Sequence, residues 1–333
     1  MKKQFLDLGK QPIANGFLQK PDCDNEFFFD LKVEFDEKTN LISLSEFVPP
    51  EKMFNDDYVY HSSMSTTMRE HFKKAAKFFI KEFKPHKIME IGSNDGVFIK
   101  HFSTKNNVTA VEPCGNFAGM TNEQGYKTYV EFWNTNLADK ILKERGKQGL
   151  IFSANCMCHI QDLDNAFSAI KNTLSYDGVF IFEDPSLLKM IERNSYDQIY
   201  DEHAHIFSII ALNNILKKQD LQIFKVEGLK VHGGSNRVYV KHTANTKISV
   251  QASVHQHIKA EEEAGLDKYS TYVNFAQQVQ QSKTALIEVL KKYKSQGKKI
   301  ISYGATSKST TIFNYCGIGP DLIDYIVDTT RNK

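Results

Sequence analysis

Ile88-Met89-Glu90-Ile91-Gly92-Ser93-Asn94-Asp95-Gly96-Val97-Phe98 is the stretch on which the reading of the whole chain turns. A short apolar run ends in a glycine-bounded loop, and apolar residues resume after Gly96. This pattern predicts a buried strand over Lys87–Ile91, a tight turn, and a helix over 95–103. Glycine lets the backbone take positive φ and approach a ligand closely. Free N–H groups at a helix start suit polar or anionic ligand groups. The next apolar segment, Val108-Thr109-Ala110-Val111-Glu112, ends in an acid. Glu112 follows Gly92 by about 20 residues, where a doubly wound fold places the carboxylate that binds a ribose diol.

Outward from this core, strands and helices alternate, which predicts an α/β class with a Rossmann-like parallel sheet. Further strands are expected at Leu150–Ser153 and Gly178–Phe182, with helices at 115–124, 135–145 and 163–174. Met68, Phe72, Ala75, Ala76, Phe79 and Phe83 recur at three and four residues, so a helix is predicted from near Thr67 to just before Pro85. Thr67 and Glu70 have capping-box spacing. Upstream, residues 1–64 read as irregular, with strands at Phe27–Phe35 and Asn40–Leu44 that pair across a polar turn. Downstream, Leu221–Val226 and Asn236–His242 read as strands and 254–295 as a charged helical region. A second αβ unit follows at Lys299–Gly304 and Leu322–Asp328.

Composition narrows the function classes. The chain has 333 residues and a formal net charge of +2. That length suits two or three packed units. No basic stripe points to nucleic acid. No run of about 18 apolar residues points to a membrane span. The start lacks the apolar region of a secretion signal. The five cysteines are odd in number and have no framework spacing. A reduced, cytoplasmic location is expected. Cys156, Cys158 and His159 crowd together, but no remote ligands are evident and no metal site is expected there.

The glycine pattern selects the nucleotide. Neither the Gly-x-Gly-x-x-Gly of dinucleotide folds nor a phosphate loop is present. A loop with acids at Glu90 and Asp95 suits a cationic sulfonium and an amino-acid moiety better than a pyrophosphate, because opposite charges attract. S-adenosylmethionine (SAM) is the expected cofactor, held by Glu90, Gly92, Asn94, Asp95, Gly96, Glu112, Pro113 and Asn155.

Several further segments resemble one known family. They are Leu6-Asp7-Leu8-Gly9-Lys10-Gln11-Pro12-Ile13-Ala14-Asn15, Asp57-Tyr58-Val59-Tyr60-His61-Ser62 and the Glu90–Gly96 loop itself. Ala154-Asn155 with His159–Leu163, Phe182–Pro185 and Tyr200-Asp201-Glu202-His203 follow. His232–Arg237, Tyr303-Gly304-Ala305 with Lys308, and Asn314–Asp321 complete the set in the family's order. The chain is similar to the SAM-dependent sugar C-methyltransferases that act on nucleotide-linked keto-deoxysugars. Two departures stand out. Members usually carry four N-terminal cysteines that hold zinc, whereas this region has only Cys23, so a zinc-free lobe is expected. Members also run on beyond the segment like Asp321–Asp328, so a shortened C-terminal lobe is expected.

The resemblance implies a division into a small lobe (1–64), a SAM-binding domain (65–200) and a C-terminal substrate-binding domain (201–333). It implies His203 as the general base that takes a proton α to a ketone. Histidine suits that role because its ordinary pKa lies near the working pH. Glu202 would orient His203 or contact the sugar, and Tyr200 would donate to the keto or enolate oxygen. His159 would face the substrate together with Asn155, and Tyr58 or Tyr60 would close the site. His232 stands either in the substrate site or in a tight turn. Arg237 either meets a substrate phosphate or makes a structural salt bridge. Tyr303 and Lys308 either hold the nucleotide-sugar or belong to a structural turn. A monomer or weak homodimer is expected. Competing readings are an O- or N-methyltransferase for a sugar or other small polar metabolite, and a silent SAM- or sugar-nucleotide-binding protein.

Overall fold

The computed structural model describes residues 1–18 and 24–329, so Cys23 lies outside the described residues. The N-terminal lobe carries β1 (Lys2–Pro12), β2 (Phe28–Asp36), β3 (Leu41–Leu44) and the single-turn α1 (Pro50–Met53). The middle of the chain begins with α2 (Thr66–Phe83), β4 (Ile88–Ile91), β5 (Val108–Val111), α3 (Gly115–Glu123) and β6 (Lys127–Tyr129). It continues with α4 (Thr135–Arg145), β7 (Gln148–Ala154), α5 (Leu163–Thr173) and β8 (Leu174–Pro185). Then come α6 (Leu187–Glu192), β9 (His205–Ile206), α7 (Ile209–Lys218), β10 (Leu221–Leu229) and β11 (Ser235–His242). Two helices, α8 (Ala252–Glu263) and α9 (Tyr269–Ser295), precede β12 (Ile301–Tyr303), α10 (Ser307–Cys316) and β13 (Tyr325–Val327).

Seven strands form one sheet in the order β10-β11-β8-β7-β4-β5-β6. The five from β8 to β6 run parallel, and β11 and β10 join them antiparallel. All four residues of β4 and of β5 are buried, as strands covered on both faces must be. One face packs Ile141, Phe167 and Leu212; the other packs Phe72, Phe79 and Phe98. The boundary expected between residues 200 and 201 is therefore displaced. β10 and β11 complete the same sheet as β4, and a domain division at 200 would cut through it.

Two local expectations also change. No α-helix forms over 95–103; turns lead into one 3-10 turn at Ile99–His101. Val97, Phe98 and Ile99 are consecutive and all buried. Three adjacent residues cannot share one helical stripe, so the chain dives into the core, with the Phe98 ring 4.1 Å from that of Phe152. The cap of α2 is Ser65, whose hydroxyl accepts from the Met68 N–H at 3.3 Å, and not Thr67.

A second sheet has the order β1-β2-β3-β9. β1 falls in a region that reads as irregular, punctuated by prolines such as Pro12. Gly9 has φ +73 at a register shift between Asp7 and Lys10, and Leu6 and Leu8 still reach the core. β9 comes from the other half of the chain and pairs with β3, Ser43 opposite His205. Residues 200–204 are thus anchored between the two sheets. α10 is tied to the same place, since the Thr311 hydroxyl donates to the Ile199 carbonyl at 2.8 Å. Among the described residues, no helix is long and apolar enough to cross a membrane.

Candidate active site

The carboxyl ends of β4, β5, β6 and β7 open into a cavity of about 450 Å³. Open α/β sheets bind ligands at that edge. The cavity continues past the sheet to meet residues 200–203, the N-terminal lobe and the start of α10. It has a sheet end and a far end.

At the sheet end, Gly92 and Asn94 follow β4, Glu112 and Pro113 follow β5, and Asn155 and Cys156 follow β7. Gly92 has φ +73, and a Cβ there would lie 2.7 Å from the Cys156 sulfur, so only glycine fits. Glu112 is buried, and its two oxygens accept from the backbone N–H groups of Asn94 at 2.7 Å and Cys114 at 3.0 Å. It thereby locks the loop after β4 to the end of β5. Burial raises its pKa above the usual carboxylate value. Phe132 and Trp133 supply aromatic wall after β6; the indole N–H of Trp133 is held by the Ala166 carbonyl at 3.1 Å.

Three of the expected cofactor residues stand behind this wall rather than in it. The Glu90 carboxyl is buried beneath the loop beside Glu112 and Asp95. Burial first, then those neighbouring acids, pushes its pKa well up. Asp95 accepts from the Ser63 N–H at 3.0 Å. Asn94 accepts from the Ser62 N–H and donates to the Tyr60 carbonyl, both at 2.9 Å. These bonds strap segment 60–63 across the loop. Gly96, with φ +76, packs on Thr121 of α3. Without an α-helix after Gly96, no helix start faces the cavity there.

The far end is assembled from distant parts of the chain. His203 is buried, and its Nδ1 lies 2.6 Å from the Gln198 carbonyl oxygen. A carbonyl only accepts, so Nδ1 carries the hydrogen and Nε2 keeps a lone pair. The Tyr200 hydroxyl donates to that lone pair at 2.9 Å. Burial depresses the His203 pKa well below the usual value, with the neighbouring His159 adding to the effect. The ring is therefore neutral at physiological pH. Glu202 accepts from the Asn15 amide at 2.5 Å and the Tyr58 hydroxyl at 3.0 Å. Burial raises the carboxyls of Glu202 and its neighbour Asp201 towards neutral pH. His159 is sandwiched between Phe54 and His203, with ring centroids 5.3 and 5.4 Å away; burial alone lowers its pKa to about 3. Tyr60, His232 and Lys308 also line this end. The His232 carbonyl accepts from the Gln198 amide at 2.8 Å.

Arg237 and Tyr303, each left open between a substrate role and a structural one, lie away from the cavity. Arg237 sits on β11, where its Nε donates to Glu183 at 2.6 Å and its guanidinium covers the Phe79 ring. His71 meets the other Glu183 oxygen at 2.5 Å. Arg237 neutralises a buried acid and does not line the cavity. Tyr303 is 78% exposed on β12, away from the cavity. Conversely, Asn15, Phe54, Trp133, Gln198 and Asp201 help build the site without having been singled out. Asn15 closes one of the family-like segments, and Asp201 stands inside another. Phe54, Trp133 and Gln198 carry no such signal.

Comparison with known proteins now gives these two ends a context. A methyltransferase domain family model matches residues 60–226. A C-methyltransferase C-terminal domain model matches 230–333, and a candidate zinc binding domain model matches 1–54. The C-methyltransferase NovU of Streptomyces niveus is 26% identical over 333 residues, covering 98% of this chain and 79% of that protein. The chain belongs to the SAM-dependent C-methyltransferase family. Among solved structures, magnesium protoporphyrin IX methyltransferase from Synechocystis PCC 6803 with bound SAH is 10% identical, with 52% of this chain and 82% of that one covered and a TM-score of 0.40. A SAM-dependent methyltransferase from Clostridium acetobutylicum is 16% identical, with 52% and 91% covered and a TM-score of 0.41. Likeness at this level adds nothing beyond the shared fold.

The sheet end of this C-methyltransferase suits its cofactor, SAM, on its own chemistry. Glu90, Asp95 and Glu112 crowd beneath one loop. One buried oxygen of Glu90 and one of Asp95 have no hydrogen-bond partner among the described residues. Buried acid with no lysine or arginine paired to it among the described residues favours a cationic ligand over an anionic one. The zinc binding domain match covers a stretch whose one cysteine is Cys23. The described part of that lobe is held by apolar packing of Leu6, Leu8, Leu31, Val33 and Phe35.

Proposed function

We infer that this C-methyltransferase methylates a carbon next to the ketone of a nucleotide-linked keto-deoxysugar, with His203 as the base. SAM, when bound, supplies an electrophilic methyl group. Gly92, Asn94, Glu112, Pro113 and Asn155 would hold it. The remaining chemistry belongs to the far end of the cavity.

The observation that carries this reading is the fixed tautomer of His203. Its Nδ1–H is held by the Gln198 carbonyl, so Nε2 keeps a lone pair that, once the Tyr200 hydroxyl releases it, can take a proton from the acceptor carbon. Burial keeps the ring uncharged before that step. Once Nε2 is protonated it no longer accepts from Tyr200, and the phenol hydrogen becomes available to the developing enolate oxygen. A donor placed where charge develops stabilises the transition state more than the ground state. Glu202, held by Asn15 and Tyr58, is an acceptor for a sugar hydroxyl. Ser307 and Lys308 open α10 and line the cavity. Lys308 makes no ion pair among the described residues, and a helix start beside a free ammonium favours an anionic group. That supports a phosphate-bearing acceptor.

The test is mass spectrometry of nucleotide-linked keto-deoxysugars incubated with enzyme and SAM, followed by NMR of the product. A gain of one methyl group on carbon is expected. Methylation on oxygen or nitrogen, or none with any such sugar, overturns the reading.

A further inference from the structure

We propose that Cys158, His159 and His203 form a binding site for a thiophilic divalent metal ion such as Zn²⁺, where His159 and His203 line the cavity and Cys158 is buried outside its lining. One donor atom from each residue lies within 4.8 Å of the other two. Cys158 and His159 are neighbours on the 3-10 turn Met157–His159, and His203 reaches the same point from the segment before β9. A thiolate with two imidazoles is a sulfur–nitrogen donor set of the kind that zinc and copper accept, and it selects such metals over magnesium or calcium.

Two independent features mark the cluster as more than a chance grouping. Nε2 of His159 is buried with no hydrogen-bond partner among the described residues, although buried polar atoms are nearly always satisfied. Nδ1 of His203 is fixed on a backbone carbonyl, the outer hydrogen bond that aims a metal-binding imidazole. Binding balances simply. The Cys158 S–H bond breaks, its proton leaves to solvent, and the sulfur takes the ion. Nε2 of His203 exchanges the Tyr200 hydrogen bond for the metal. Metal–donor distances of about 2.0–2.3 Å require the three side chains to draw together around the ion. A metal held in this way occupies the lone pair that proton abstraction needs. That consequence rests on the base assignment above, whereas metal binding itself does not.

The experiment titrates the full chain with Co²⁺ as a spectroscopic probe. A near-ultraviolet thiolate-to-cobalt band that saturates at one ion per chain and is removed by Zn²⁺ is expected. In Cys158→Ser, which keeps a hydroxyl but no thiolate, the band should vanish and Zn²⁺ affinity by calorimetry should fall at least tenfold. No band in the wild-type chain, or an unchanged band in Cys158→Ser, overturns the site. Because the wild-type titration needs no variant, poor folding of Cys158→Ser cannot hide a negative result. Methyl transfer is measured separately with chelator present, so failure of the proposed reaction and failure of metal binding give different outcomes.

Discussion

The sheet end of the cavity is made almost wholly within residues 91–156, on loops that each follow a strand of one parallel sheet. The far end draws Asn15 and Tyr58 from the N-terminal lobe, His159 from the sheet domain, residues 198–203 from the link between sheets, and Lys308 from α10. The first is rigid because backbone groups hold it: both oxygens of Glu112 accept from loop N–H groups. The second is held mainly by side chains reaching across lobes, such as Asn15 to Glu202. Cofactor binding should therefore survive changes at the far end, and chemistry should be sensitive to contacts well removed in sequence.

The largest expected effect separates the two ends outright. His203→Ala should lower the rate of methyl transfer by about 10²–10⁴-fold, the usual worth of a positioned general base. The affinity for S-adenosylhomocysteine, measured by calorimetry, should stay within a factor of two. A parallel loss of cofactor affinity would mean that the ends are not independent.

Next in size is an effect on neither end. Arg237→Leu leaves Glu183 buried with only His71 to pair it. Breaking a buried pair by removing one partner costs about 3–5 kcal/mol. Chemical denaturation should show a loss near the lower figure, because His71 remains. The cofactor affinity of the folded variant should not change. A severalfold loss of acceptor affinity with normal stability would instead return Arg237 to the substrate site.

The same contrast explains what the sequence made legible. β4 and β5 announce themselves as short apolar runs, and the carboxylate of Glu112 falls at a spacing set by the fold. Gly92 and Asn94 between them could be set at the sheet edge without tertiary information. The far end had no periodicity to read. His203 and Glu202 were reached only through likeness to a family, and the partners of Glu202, Asn15 and Tyr58, lie more than a hundred residues away. Arg237 and Tyr303 show the limit of such likeness. A residue in a family-like segment can serve the core, as Arg237 does beneath Phe79, or face solvent. Glu90 and Asp95 misled for another reason: their place beside the loop was legible, but their direction was not. The helix expected after Gly96 fails because burial of three adjacent apolar residues outweighs local helical preference.

The smallest effect probes how the N-terminal lobe tunes the far end. The Asn15 hydrogen bond favours the ionised form of Glu202, working against the burial that raises its pKa. Asn15→Ala removes that donor, so the Glu202 pKa should move up further. If the ionised carboxylate is the form that receives Tyr58 and the acceptor, the rising limb of the pH–rate profile shifts to higher pH. His203 titrates far below this range, so the limb near neutrality belongs to the Asp201–Glu202 pair. A hydrogen bond to a charged group contributes about 1.5 kcal/mol at the low end of its range, which corresponds to roughly a tenfold fall in kcat at pH 7. The deficit should shrink as pH rises, because both enzymes then carry ionised Glu202. A deficit that stays constant across the pH range would show that Asn15 only holds the lobe in place.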